Sequence, residues 1–285
     1  MYSQSITRAH RTAFVLLIDQ SGSMSGEIRF RGETCSKAEA VATITNELLF
    51  ELIERTRRSE GTRNYYDVAI LGYGGEDEVQ SLLAADREWI PITELAARPV
   101  PMRRRQVEVR LPDGSIALRL HSRPEWIKPQ AAGQTPMLDA LREARDLVRE
   151  WVARPENSQS FPPIVFNITD GEATDGSDAD LCEVAHQIRS TATADGEVLL
   201  LNIHLATGTT EQPICFPGQE EPLHESRHAA LLHACSSEMP ACFNEAIRSI
   251  KGAGAMPPFR GMSFNASIAE VVAMLDTGSI SAKLE

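Results

Sequence analysis

Three short polar stretches carry the residues of this chain best suited to chemistry: Asp19-Gln20-Ser21-Gly22-Ser23, Gly133-Gln134-Thr135-Pro136 and Thr169-Asp170-Gly171-Glu172. Together they offer two carboxylates, Asp19 and Asp170, and three hydroxyls, Ser21, Ser23 and Thr135. A donor set made only of oxygens and low in charge suits a hard divalent cation, Mg²⁺ foremost and Mn²⁺ or Ca²⁺ after it; Mg²⁺ wants octahedral geometry and keeps positions for water or an incoming carboxylate. Such a cation would attract an anionic oxygen at its open position. Gly22 and Gly171 are expected to let the backbone turn tightly beside the ligands. A plainer reading has Asp19 and the serines capping a turn and Asp170 capping the next helix. It leaves the matched chemistry of three separate loops unexplained. The neighbouring Glu172, Asp175 and Asp178 read as a solvated rim or as helix caps.

A second motif competes. His224-Glu225-Ser226-Arg227-His228 spells HExxH, which on a helix would set two imidazoles one turn apart for zinc, with Glu225 as general base. Asn244 to Ser249 resembles the segment that carries the third, glutamate ligand of thermolysin-like peptidases. A zinc-dependent hydrolase or peptidase is therefore the alternative function. Against it, Pro222 and an irregular loop precede the motif, Leu231 stands where a metzincin has glycine, and His233 falls one residue short of that family's third histidine. The bland reading is a surface helix with titratable histidines. Cys35 and Cys182 have no placed histidine partner and read as small packing hydrophobes. No glycine-rich phosphate loop follows the first strand.

Composition narrows the classes further. The chain has 285 residues, 42% of them hydrophobic, enough for a sizeable core. A formal net charge of -12 repels phosphate backbones and anionic membranes, which argues against nucleic acid as a partner. Five dispersed cysteines without a CxxC pair fit neither a disulfide framework nor a thiolate zinc site, and a reducing cytoplasm is the expected location. The apolar run at 13–18 is too short for a signal sequence or a membrane span.

The elements that must position these residues follow from periodicity. Apolar runs at 13–18, 67–73, 164–168 and 198–205 read as parallel strands buried on both faces. Between them lie helical stripes. One holds Val41, Ile44, Leu48, Leu49, Leu52 and Ile53 after a Ser36/Glu39 capping box; one holds Leu138, Leu141, Ala144, Val148 and Val152 after Pro136; one holds Leu181, Val184, Ala185 and Ile188 after Ser177. This alternation predicts an α/β fold, a doubly wound, mostly parallel sheet flanked by helices in three layers. Residues 1–285 are expected to form one domain. Residues 75–130 break the rhythm as an insertion whose runs at 107–111 and 116–120 flank Pro112-Asp113-Gly114-Ser115 as a β-hairpin, with Arg103-Arg104-Arg105 a solvated basic edge. Residues 206–285 form a C-terminal extension: loop at 207–222, then helical stripes at 227–234 and 268–275. In such a sheet, ligands bind at the carboxyl edge of the strands; two of the polar stretches end strands, the third precedes a helix, and all three are expected to converge there.

Asp19-Gln20-Ser21-Gly22-Ser23 resembles the DxSxS motif of von Willebrand factor type A domains, with Thr135 and Asp170 at that family's other two metal-site positions. Met262-Ser263-Phe264-Asn265 is similar to the family's last strand. The resemblance implies a metal ion-dependent adhesion site in which Ser21, Ser23 and Thr135 bind the cation directly and Asp19 and Asp170 bind it directly or through water. It implies a protein-binding module, not an enzyme, that recognises an Asp or Glu carboxylate of a partner protein. It also points to the intracellular bacterial members, several of which belong to stress-response or phosphorylation-linked signalling systems.

Overall fold

The computed structural model describes residues 2–30, 33–75, 78–84, 86–110, 115–205, 214–218 and 227–264. In chain order the strands and helices are β1 (Thr12–Gln20), β2 (Glu27–Phe30), β3 (Glu33–Ser36), α1 (Lys37–Thr56), β4 (Arg57–Arg58), β5 (Gly61–Thr62), β6 (Tyr66–Gly74), β7 (Glu78–Ser81), β8 (Ile90–Pro91) and α2 (Ile92–Ala97). They continue with β9 (Met102–Arg110), β10 (Ile116–Pro124), α3 (Met137–Ala153), β11 (Ile164–Thr169), α4 (Asp178–Arg189), β12 (Leu199–His204), β13 (Ile214–Cys215), α5 (Arg227–Cys235), α6 (Asn244–Lys251) and β14 (Met262–Phe264).

The main sheet has the order β13-β14-β12-β11-β1-β6-β7, with β8 also pairing to β6. Its interior pairs β14/β12, β12/β11, β11/β1 and β1/β6 are parallel, and β7, β8 and β13 join antiparallel at the margins. Every residue of β1, β6, β11 and β12 is buried. The cause is the two-residue side-chain period of a strand covered on both faces. Phe14, Leu16 and Ile18 of β1 enter the core under α1 and α2, while Ala13, Val15 and Leu17 enter the opposite core under α3, α4 and α5. Each fully buried Leu, Ile or Phe contributes about 1.5–3 kcal/mol of transfer free energy. A three-layer α/β sandwich is the result, as the strand-helix alternation predicts.

The helices begin where local chemistry allows. Ser36 accepts from the Glu39 backbone N–H and the Glu39 carboxylate accepts from the Ser36 N–H, a reciprocal cap that starts α1. Ser177 and Asp180 do the same for α4. Helix α3 has no capping side chain of its own, following Pro136. Its first free N–H groups instead donate to Asp175, from Leu138 at 3.0 Å and Asp139 at 2.8 Å. The cap thus comes from the loop after β11, and it ties two of the three polar stretches together.

Several expectations need amendment. Residues 75–130 hold more than a hairpin: β7 and β8 extend the main sheet beyond β6, and Ile92 and Leu95 of α2 sit in the core. The hairpin itself is longer on both arms than predicted, β9 pairing with β10 from Met102↔Pro124 to Arg110↔Ile116, its turn lying outside the described residues. Ile214–Cys215, expected within a loop, pairs with β14. The expected helix at 268–275, with Asn265, also lies outside them.

Candidate metal centre

The strand order explains why the polar stretches meet. From β1 the chain passes through α1 on one face to β6, whereas from β11 it passes through α4 on the other face to β12. β1 and β11 are neighbours. Their outgoing connections therefore diverge, opening a crevice at the carboxyl edge between them, the switch point where open α/β sheets place ligands. Asp19 is the penultimate residue of β1, and Asp170 follows the last residue of β11.

In that crevice the side chains form one hydrogen-bonded chain. The Ser21 and Ser23 hydroxyls lie 3.0 Å apart, and Ser23 Oγ donates to Asp170 Oδ1 at 2.6 Å. Asp19 accepts the Ser21 backbone N–H on Oδ1 at 2.8 Å and the Thr169 hydroxyl on Oδ2 at 2.8 Å. Burial pushes the Asp19 carboxyl above its ordinary range; the hydrogen bonds from Ser21 and Thr169 oppose the shift, and the negative Asp170 adds to it.

The third stretch is held against the first by backbone. Gly22 N–H donates to the Gly133 carbonyl at 3.1 Å, and Ala132 N–H donates to the Gln20 carbonyl at 2.8 Å. This approach demands glycine at 133, where φ is +72° and a Cβ would stand 1.6 Å from the Gly75 carbonyl oxygen. Thr135 is buried nearby, its N–H donating to the Thr174 hydroxyl and its carbonyl accepting the Thr174 N–H. Its hydroxyl is not part of the Ser21–Ser23–Asp170 chain. The chain does turn tightly at Gly22, but neither Gly22 nor Gly171 has positive φ; near the crevice that conformation falls on Gly74, Gly75 and Gly133. Gly22 opens a short 3-10 turn, and its backbone N–H makes the bond to the Gly133 carbonyl.

One participant escaped the sequence reading. Lys37, the first residue of α1, places Nζ 2.7 Å from Asp170 Oδ2, with side chains only 5% and 0% exposed. A lysine at a helix N-terminus faces the positive end of the helix dipole. Its position there, inside the Ser36–Glu39 capping box, is the signal that could have marked it. Asp175 and Asp178 settle as helix cap and as partner of Arg227 at 2.7 Å.

The two serine hydroxyls are spaced as neighbouring ligands of a hard cation would be. Adjacent ligands on an octahedral ion with bonds of about 2.1 Å stand roughly 3 Å apart, which is the Ser21–Ser23 hydroxyl spacing. Among the described residues no three or more of His, Cys, Asp and Glu cluster as metal ligands.

The HExxH segment is only partly visible, His224 and Glu225 lying outside the described residues. His228, expected on a surface helix, is buried on α5, its ring 4.9 Å from that of His204, which stacks on Phe264 at 4.8 Å. Desolvation lowers both imidazoles below their ordinary range, His204 to about 4. Nearby charges divide: Lys37 lowers His204 further, whereas Asp170 raises both.

No family model and no curated protein matches the chain. Among solved structures it is similar to a von Willebrand factor type A protein from Catenulispora acidiphila, with 13% identity and a TM-score of 0.41 over 69% of this chain and 33% of that one. It is similar to the vWF domain of the type V pili tip protein Mfa5 from Porphyromonas gingivalis, with 12% identity and a TM-score of 0.40 over 97% of each chain. An uncharacterized membrane spanning protein from Vibrio fischeri matches with 14% identity and a TM-score of 0.27 over 72% and 74%. In this chain no described helix is long and apolar enough to cross a membrane. The chain spans about a third of the length of the Catenulispora protein, and likeness at this level does not extend to what any of these proteins binds.

Proposed function

We propose that this chain is a metal-dependent protein-recognition module of the von Willebrand factor type A kind, a binder and not a catalyst. Asp19, Ser21, Ser23, Thr135 and Asp170 would hold one Mg²⁺, or Mn²⁺ or Ca²⁺ in its place, and an Asp or Glu carboxylate of a partner protein would complete the site. The observation that carries this reading is the continuous chain of oxygens, Ser21 to Ser23 to Asp170, assembled from two loops at the switch point of the sheet.

Charge supports the choice of a carboxylate. Asp19 and Asp170 when ionised, together with the Lys37 ammonium, sum to a single negative charge. A divalent cation inverts that to a single positive charge, and one carboxylate then restores neutrality in a poorly solvated crevice. The bound cation supplies Lewis-acid attraction for that oxygen. Asp19 keeps Ser21 in place through the backbone N–H, Thr169 orients Asp19, and Lys37 fixes Asp170. The intracellular, bacterial setting and the link to stress-response or phosphorylation-based signalling are proposed on the family resemblance alone.

Metal analysis of the purified chain after equilibration with Mg²⁺, Mn²⁺ and Zn²⁺ tests the reading. One equivalent of Mg²⁺ or Mn²⁺, lost in Asp170→Ala and retained in His228→Ala, is the expected result. Stoichiometric zinc lost only in His228→Ala would overturn it in favour of the HExxH reading.

A further inference from the structure

Helices α4 and α5 lie side by side on the same face of the sheet and are pinned at three places. Arg227 of α5 holds Asp178 at 2.7 Å, Arg189 of α4 donates to the Ser236 carbonyl at 3.2 Å, and between these the sulfurs of Cys182 and Cys235 stand 3.7 Å apart. All five cysteines of the chain are thiols here, and this pair is separated by 53 residues of sequence. A disulfide bond is about 2.05 Å long, so the sulfurs need close by only roughly 1.7 Å. Access is unequal: Cys182 is half-buried, whereas Cys235 is buried and lines a small apolar cavity with Leu181, Leu231 and His228.

We infer that Cys182 and Cys235 form a thiol modification site, an oxidisable pair that a low-molecular-weight disulfide converts into a staple between α4 and α5. In the first step the Cys182 thiolate attacks one sulfur of the small disulfide; the mixed disulfide forms at Cys182 and one small thiol leaves. In the second step Cys235 loses its proton to solvent and its sulfur attacks Cys182 Sγ, expelling the second small thiol, which takes up a proton. Two protein thiols and one small disulfide thus become one protein disulfide and two small thiols. The pair is oxidised by two electrons and the small disulfide reduced by two. Burial raises the Cys235 thiol above its ordinary range, so the second step speeds up as pH rises.

This site is independent of the cation reading, since neither cysteine touches Asp19, Ser21, Ser23, Thr135 or Asp170. The staple would instead secure the layer that follows the Asp170 loop. Equilibration of the full-length chain in glutathione buffers of increasing oxidised fraction, acid quenching, alkylation and peptide mapping by mass spectrometry tests it. The expected result is a Cys182–Cys235 linked peptide with loss of two hydrogens, three thiols still alkylated, and a thermal midpoint raised by about 5 °C or more. Cys182→Ser and Cys235→Ser, each retaining the fold by circular dichroism, should show no rise. Both thiols remaining alkylatable in the most oxidising buffer, a mixed disulfide that stops at Cys182, or linkage through Cys35, Cys215 or Cys242 would each overturn the proposal.

Discussion

Lys37 Nζ lies 2.7 Å from Asp170 Oδ2, joining residues 133 apart in sequence across the crevice between β1 and β11. Both side chains are buried, so the ammonium is a resident counter-charge for the carboxylate that the proposed cation would also use. Two cations then share one carboxylate, and each weakens the other's hold.

Lys37→Met should therefore separate stability from cation affinity. Without added metal the variant leaves Asp170 buried with the Ser23 hydrogen bond but no counter-charge, and a loss of about 3–5 kcal/mol is expected. Mn²⁺ should bind about 10-fold or more tighter than to the wild type, since the competing charge is gone, and should restore much of the lost stability. Thermal melts and calorimetric titration of both proteins check this; unchanged Mn²⁺ affinity would remove Lys37 from the site.

Gly133→Ala should destabilise the crevice more than an ordinary loop substitution. The new Cβ meets the Gly75 carbonyl oxygen at 1.6 Å and the position has φ of +72°, so backbone must move. A cost of about 1–3 kcal/mol is expected, together with loss of cation binding, because Gly133 carries the carbonyl that positions Gly22. Gly252→Ala, also at positive φ but with open space around it, is the control. Chemical denaturation of the two variants should rank Gly133→Ala lower.

The buried imidazoles predict acid sensitivity. His204 is lowered to about 4 by desolvation first, with His228 and Lys37 adding to the shift, and His228 and His233 are lowered in the same direction. A lowered histidine binds fewer protons folded than unfolded, so its contribution is present above the unfolded value of about 6.5 and is lost as pH falls toward the folded value. For His204 the full loss is on the order of 3 kcal/mol. The melting midpoint should fall steadily between pH 7 and 5, and His204→Phe, which removes the titrating group beside Phe264, should flatten that slope.

Asp67→Ala should be costly though far from the crevice. Its buried carboxylate accepts from Arg11 at 3.1 Å and from the Trp151 indole N–H at 2.9 Å, tying β6 to α3. Removing it strands a fully buried indole donor, for about 2–4 kcal/mol in denaturant unfolding, with Mn²⁺ affinity unchanged.

The sequence alone determined the parts whose signal is local. The four buried strands, the helices after Ser36, Pro136 and Ser177, and the placement of Asp19, Ser21, Ser23 and Asp170 at strand ends and of Thr135 at a helix start all follow from side-chain periods of 2 and 3.6 and from capping chemistry, which act over a few residues. One buried polar device has such a local signal too: Asn167 and Asn202, each flanked by apolar residues, stand at the same register of β11 and β12, and their side chains bond at 3.0 Å. What only the tertiary structure decided are the contacts between distant segments. Lys37 reaches Asp170 because α1 crosses the sheet on the opposite face from α4; Gly133 is irreplaceable because it meets Gly75; Cys182 faces Cys235 because α4 and α5 pack side by side. No local periodicity encodes those distances, since they depend on strand order and crossover placement, and these are set by how the whole core closes.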